Sequence, residues 1–198
     1  MDWKQRYADR LKTPGEAAKL VRSGDRAWMG MFTSNPDTFC RSLFARNGEV
    51  EAVNIHHYVS PFVWATPDSA RSFHLTTCFT TPADRQQIAA GMGDYLPLGN
   101  FRQSWIKDAV GPFDVACVKT SPPDENGYLS MGTAVWANRT ALDVARTIIC
   151  EVDERLIRTY GENYIHMSEV AALLEHNQSH DTAMPVPPRT DEVIAATE

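Results

Sequence analysis

The sequence predicts an α/β domain: a mostly parallel sheet with helices on both faces. Three observations carry this expectation. Strand-like and helix-like segments alternate along most of the chain. Two short runs, 114–118 (DVACV) and 147–152 (TIICEV), are apolar with little alternation, as strands covered on both faces are. Between them, Ala137, Ala141, Val144 and Ala145 share one helical face, which is the pattern of a βαβ crossover.

The earlier elements follow from local chemistry. Thr13-Pro14-Gly15-Glu16 has the form of a capping box with Pro at the first helical position, opening a helix through Ala17, Ala18, Leu20 and Val21 that stops near Gly24. Residues 26–32 (RAWMGMF) read as a strand. Asn35 then serves as a cap for a helix starting at Pro36, with Phe39, Cys40, Leu43 and Phe44 on one face and Gly48 at its end. Strands are predicted over 50–57 and around 72–78, and a helix over 82–90 closed by Gly91 and Gly93. Ser168 caps a last predicted helix carrying Val170, Leu173 and Leu174. Residues 1–176 thus form the domain, and 177–198 form a polar, Pro-containing arm or linker.

Composition narrows the function. With 19 basic and 25 acidic residues the net charge is −6, and no Lys/Arg-rich run supplies the positive surface that nucleic acid requires. No apolar stretch approaches the roughly 20 residues that span a bilayer, and the polar amino terminus lacks a signal-peptide core. A cytoplasmic protein is expected. The four cysteines form no CxxC pair, and Cys117 and Cys150 lie in apolar runs as buried thiols do. No metal site is predicted: His176 and His180 are four apart but fall where the last helix frays, and His56 and His57 point to opposite faces of a strand.

In a parallel sheet, ligands bind beyond the carboxyl ends of the strands. Two loops there are candidates. The first, Gly30-Met31-Phe32-Thr33-Ser34-Asn35 ahead of Pro36, joins a strand to a helix amino terminus whose N–H groups and dipole can hold an anion or an oxyanion; it also reads simply as a capped helix after a strand. The second spans 120–132 (TSPPDENGYLSMG). Its prolines and Gly127 make a stiff turn that either presents Ser121, Pro122, Glu125 and Tyr128 to a substrate or merely reverses the chain. Gly127 to Gly132 misses the nucleophile-elbow spacing by one residue, which makes Ser130 a poor nucleophile.

Together these stretches resemble the N-terminal half of the acetyl-CoA hydrolase/4-hydroxybutyrate CoA-transferase family, within the class I CoA-transferases. The most specific match is Asp114-Val115-Ala116 followed by Ser121-Pro122-Pro123-Asp124-Glu125-Asn126-Gly127-Tyr128 and Ser130-Met131-Gly132. Weaker matches follow in order: Gly30 to Pro36; Arg85, Gly91 and Asp94-Tyr95-Leu96-Pro97; and Glu151-Val152 with Arg158-Thr159-Tyr160-Gly161. Asp153 and Ile157 depart from the family's frequent Asn and Pro, and Met31 and Phe32 are bulkier than the small residues usual there.

The resemblance implies an acyl-CoA thioester as substrate, with no bound cofactor, and a carboxylic acid as acceptor. It also implies a covalent route in which a glutamate carboxylate attacks the thioester, passing through an acyl–enzyme anhydride to a glutamyl-CoA thioester. In such relatives the glutamate lies in a second α/β half. The sequence ends about where that half begins, so no catalytic residue is assigned here; a second CoA-transferase-like subunit is expected to carry the glutamate. Hydrolysis, with water in place of the acceptor acid, and a non-catalytic structural or regulatory half are the alternatives.

Overall fold

The computed structural model describes residues 2–98, 111–177 and residue 190. In chain order the elements are α1 (Trp3–Arg6), α2 (Pro14–Ala18), β1 (Arg26–Met29), a 3-10 turn (Phe32–Ser34), α3 (Asp37–Phe44), β2 (Val53–His56), β3 (Phe73–Thr77), α4 (Pro82–Ala89) and β4 (Gly93–Tyr95). Then come β5 (Phe113–Thr120), β6 (Tyr128–Ser130), α5 (Asn138–Asp143), β7 (Ala145–Val152), β8 (Tyr164–His166), a second 3-10 turn (Met167–Glu169) and β9 (Ala172–Glu175).

Among the described residues, seven strands form one sheet in the order β4-β3-β2-β1-β5-β7-β9, and every pairing among them is parallel. β6 and β8 form a separate antiparallel pair. The predicted α/β class with a parallel sheet is what the chain adopts. From β1 the chain steps outward to β4, then returns to β5 on the other side of β1 and steps outward again. The strand order therefore reverses between β1 and β5.

The two-residue period of a strand explains the two cores. Along β5, Val115 and Cys117 face a cluster with Ala17 and Ala18 of α2 and Phe39 and Leu43 of α3. Ala116 and Val118 face the opposite cluster, with Ala141 and Leu142 of α5 and Leu129 and Ile165 of the small sheet. The indole of Trp28, fully buried, donates to Asn138 Oδ1 on α5 at 3.0 Å. All four cysteines are buried and free.

Several boundaries differ from the sequence expectation. The Thr13 capping box is present, but α2 ends at Ala18, so Leu20 and Val21 lie outside it. β1 stops at Met29: Gly30 N still bonds Cys117 O at 2.8 Å, and the chain then turns. Ala145 begins β7 instead of continuing the preceding helix. The helix predicted after Ser168 is a 3-10 turn followed by strand β9, and His166 is the residue that caps the turn. A short apolar run fits helix or strand equally by periodicity. Here pairing with β7 at Ile149↔Ala172 and Cys150↔Leu173 decides, because it supplies the sheet-edge hydrogen bonds a one-turn helix would forgo. The arm from 177 onward lies outside the described residues except for Asn177 and Thr190.

Candidate functional site

The crevice at a strand-order reversal is where open parallel sheets bind ligands, because the loops leaving the two central strands part in opposite directions there. Both sequence-predicted loops leave from this point, the first from β1 and the second from β5.

The first loop begins at Gly30, where a Cβ would stand 2.2 Å from the Ser34 carbonyl oxygen. Only glycine permits that approach. Met31 is fully buried and belongs to the core, whereas Phe32 is 38% exposed at the rim. Phe32 has φ 48°, and Val59, in the loop after β2, has φ 46°. A β-branched residue in the left-handed region carries strain that the surroundings must hold. The two are linked: Phe32 N donates to Val59 O, and Val59 N donates to Phe79 O, both at 3.4 Å. Trp136 meets the Phe32 ring edge-on at 5.1 Å and the Phe79 ring at 6.1 Å. These three half-exposed rings make an aromatic lip. Beside Phe79 an open depression of ≈ 550 Å³ is also lined by Cys78, Thr80, Arg85, Ile88, Ala89 and Tyr95. Burial pushes the Cys78 thiol up, which keeps it protonated and unreactive.

Thr33 is exposed, and its hydroxyl lies 3.0 Å from that of Thr133. Ser34 and Asn35 are buried. Asn35 does not cap α3. Its side chain donates to Asp37 Oδ1 at 2.7 Å and accepts from Ser60 Oγ at 2.8 Å, and Pro36 occupies the cap position. The helix amino terminus is not an open anion site either. Thr38 N and Phe39 N donate to the two oxygens of Glu151 at 3.1 and 2.9 Å, and Asp37 N donates to Asn35 O. The anion that favours this helix end is thus a fully buried carboxylate of the same chain.

The second loop is held by its own groups. Asp124 Oδ1 accepts from Asn126 N and Tyr128 N, both at 2.9 Å. Arg158 clamps the loop from outside, donating to Ser121 Oγ, Pro122 O, Tyr128 O and Asp124 Oδ2 at 2.9–3.1 Å. Ser121 is buried, and its hydroxyl also accepts from Ser130 N, so it holds the turn. Pro122 is half-buried beside it. Glu125 is exposed, with its carbonyl accepting from Arg6, and the Tyr128 ring packs 4.8 Å from His166. Among the described residues, no hydrogen bond or ring contact joins Glu125 or Tyr128 to residues 30–35. The two loops share an end of the sheet, but the tip of the second leans toward α1 and β8.

Charged side chains beneath the first loop escaped the sequence reading. Lys119 Nζ lies 3.1 Å from Asp37 Oδ2, with both residues buried. Glu151 Oε1 lies 2.5 Å from His176 Nδ1. At the end of α4, His57 Nε2 lies 3.0 Å from Asp84 Oδ1, both fully buried. Burial works against the Asp84 charge, but the His57 and Thr81 bonds outweigh it and lower the carboxyl below its ordinary value. One signal could have marked the first two: Lys119 and Glu151 are charged residues that directly follow the apolar runs 115–118 and 148–150. Among the described residues no group of His, Cys, Asp and Glu is placed to hold a metal, and no helix is long and apolar enough to cross a membrane.

Residues 1–185 match the family model of the acetyl-CoA hydrolase/transferase N-terminal domain. The chain belongs to this family. A succinyl-CoA:cyclohexane-1-carboxylate CoA transferase of Geobacter metallireducens is 30% identical over 190 residues, covering 95% of this chain and 43% of that protein. A 4-hydroxybutyrate coenzyme A transferase of Clostridium kluyveri is 26% identical over 199 residues, 99% of this chain and 46% of the relative. The chain therefore spans about half the length of the curated relatives it matches. Among solved structures, RipA from Yersinia pestis superposes with a TM-score of 0.81 at 24% identity, covering 96% of this chain and 47% of that one. The decarboxylase AibA/AibB matches with a TM-score of 0.58 at 13% identity, covering 84% of this chain and 82% of the matched chain. These likenesses show the fold, and its occurrence in a chain of similar length.

Proposed function

We propose that this domain forms the acyl-side wall of a CoA-transferase active site, working in the cytoplasm with a second CoA-transferase-like subunit that carries the catalytic glutamate. The observation that carries this reading is the state of the carboxylates. Asp37, Asp84, Glu151 and Asp153, the acids buried at the carboxyl end of the sheet among the described residues, are engaged by Lys119, by His57, by the α3 amides with His176, and by Arg155 N, respectively. A nucleophile must be free to reach a thioester carbon. Their engagement supports the reading that the attacking carboxylate comes from the complementary half.

What this chain offers is a wall. Phe32, with Thr33 beside it, and the rings of Phe79 and Trp136 give an apolar surface that excludes water from the reacting thioester when the complementary half closes over it. Bulky Phe32 narrows the acyl side, while Met31 lies behind it in the core. In the reaction proposed, the partner's carboxylate attacks the acyl carbon and the C–S bond breaks. The released thiolate then attacks the glutamyl carbonyl of the anhydride, freeing the first acid and leaving CoA on the glutamate for the acceptor acid. Transfer is preferred to hydrolysis because the relatives above are named as CoA-transferases and a dry aromatic lip disfavours water. Ser121, Pro122, Glu125 and Tyr128 are read as the frame of the second loop, with Tyr128 available to the incoming half. Four buried, free cysteines support a reducing compartment.

The test is reconstitution. The purified polypeptide is assayed for CoA transfer from an acyl-CoA to a second carboxylate, alone and with the complementary half, and the complex is then treated with borohydride. No transfer alone, transfer on assembly, and a reduced glutamyl adduct on the complementing chain are expected. Robust turnover by this polypeptide alone would end the proposal.

A further inference from the structure

A continuous buried chain of polar side chains runs from the central sheet to the two loops that hold the Phe32 side of the aromatic lip. It starts at Lys119 near the end of β5, whose ammonium bonds Asp37 Oδ2 at 3.1 Å. Asp37 Oδ1 accepts from Asn35 Nδ2 at 2.7 Å, and Asn35 Oδ1 accepts from Ser60 Oγ at 2.8 Å. The Lys119 carbonyl also accepts from Ser34 Oγ at 2.6 Å. All five residues are buried. The chain thus ties β5 to α3, α3 to the loop after β1, and that loop to the one after β2.

Its three loop members sit close to the strained positions. Ser60 follows Val59 directly, and Ser34 and Asn35 follow Phe32 within three residues. Strained backbone persists only where neighbours over-determine it. Removing Lys119 and Asp37 from water costs desolvation, and a buried ion pair is a weak source of stability compared with apolar packing of the same volume. What such a pair supplies is direction: each link fixes donor and acceptor geometry to within a few tenths of an ångström. Apolar contacts would tolerate sliding of the loop.

We propose that Lys119 and Asp37, acting through Asn35 and Ser60, are positioning residues that lock the Phe32–Val59 lip and so set the width of the acyl wall. This rests on the functional reading above, but its first test does not use activity. Hydrogen exchange at the amides of residues 31–35 reports the lip, where Ser34 N bonds Met31 O and Asn35 N bonds Phe32 O. Two alterations are compared with the parent protein: the double substitution Lys119→Met with Asp37→Asn, which removes both charges together, and Ser60→Ala, which removes the link to Asn35 along with the local bond that Phe62 N makes to the same hydroxyl. Each should speed exchange at 31–35 by about tenfold, the effect of losing one net hydrogen bond from a local opening equilibrium, while β5 and β7 keep their protection.

In the assembled enzyme the same variants should flatten the ratio of kcat/KM between short and long acyl-CoA substrates, which a purely stabilising network would leave alone. Unchanged exchange in Ser60→Ala overturns the proposal even if the double variant does not fold. So does faster exchange with an unaltered acyl ratio. Should the assembled parent protein show no transfer at all, the functional reading fails while the exchange comparison still judges the lock.

Discussion

Gly30 is the single residue on which the candidate site most depends. The Ser34 carbonyl occupies the space a side chain would take, and the Val118 Cα closes the other side at 3.2 Å. Gly30→Ala should lower stability by about 3 kcal/mol, the upper range for overpacking a site that cannot give way, as read by urea unfolding. His56 offers a second residue-level test. It is buried, packs edge-on to Phe113 at 5.2 Å, and its Nε2 meets no hydrogen-bond partner among the described residues. Burial, then the positive charges of Arg26 and His57, lower its pKa from 6.5 to about 4. The unfolded chain therefore binds a proton that the folded one refuses between those values. Stability should fall as pH drops from 6.5 toward 4, by about 3 kcal/mol in all at ~1.4 kcal/mol per tenfold change in proton affinity. Unfolding curves of His56→Leu across that window should show a shallower decline.

At the level of elements, α3 shows how a local reading and a tertiary one diverge. The sequence places a helix after Asn35 correctly, because Phe39, Cys40 and Leu43 repeat on one face. It does not reveal that the helix end is capped by Glu151, which is 112 residues from Phe39 in the chain. Glu151→Ala would remove the acceptor that Thr38 N, Phe39 N and His176 Nδ1 share. A loss of about 3–5 kcal/mol is expected, as for removing one member of a buried charged network, with Glu151→Gln losing less because one oxygen still accepts. Helix α2 is the opposite case. Thr13 and Glu16 bond each other's backbone N–H groups as the local motif requires, and Thr13→Ala should cost about 1 kcal/mol in the same unfolding measurement. The helix expected after Ser168 fails for a similar reason of scale: Val170, Leu173 and Leu174 fit one helical face over a single turn, and only pairing with the edge of β7 makes the run a strand.

For the whole molecule, the reversal of strand order between β1 and β5 brings the Gly30 loop and the β5 loop to one end of the sheet. That end presents half-exposed aromatic rings above buried, paired charges. When the complementary half is added, Trp136 and Phe79, at 42% and 45% exposure, should become protected from solvent. Quenching of tryptophan fluorescence by acrylamide, compared between the parent and Trp136→Phe, would register that closure, and an unchanged Trp136 contribution on assembly would place the interface elsewhere.

The sequence by itself determined the parallel α/β class, the places where loops leave the strands, and the family, because these depend on burial patterns and short motifs that each segment carries in its own residues. The tertiary structure alone decided which charges meet. Lys119 and Asp37 are 82 residues apart, and Thr38 and Glu151 are 113 apart. A charged residue in an apolar strand announces that a partner must exist, since an unpaired charge there is prohibitively costly. Which side chain answers is settled only when the sheet brings distant ends of the chain within hydrogen-bond reach.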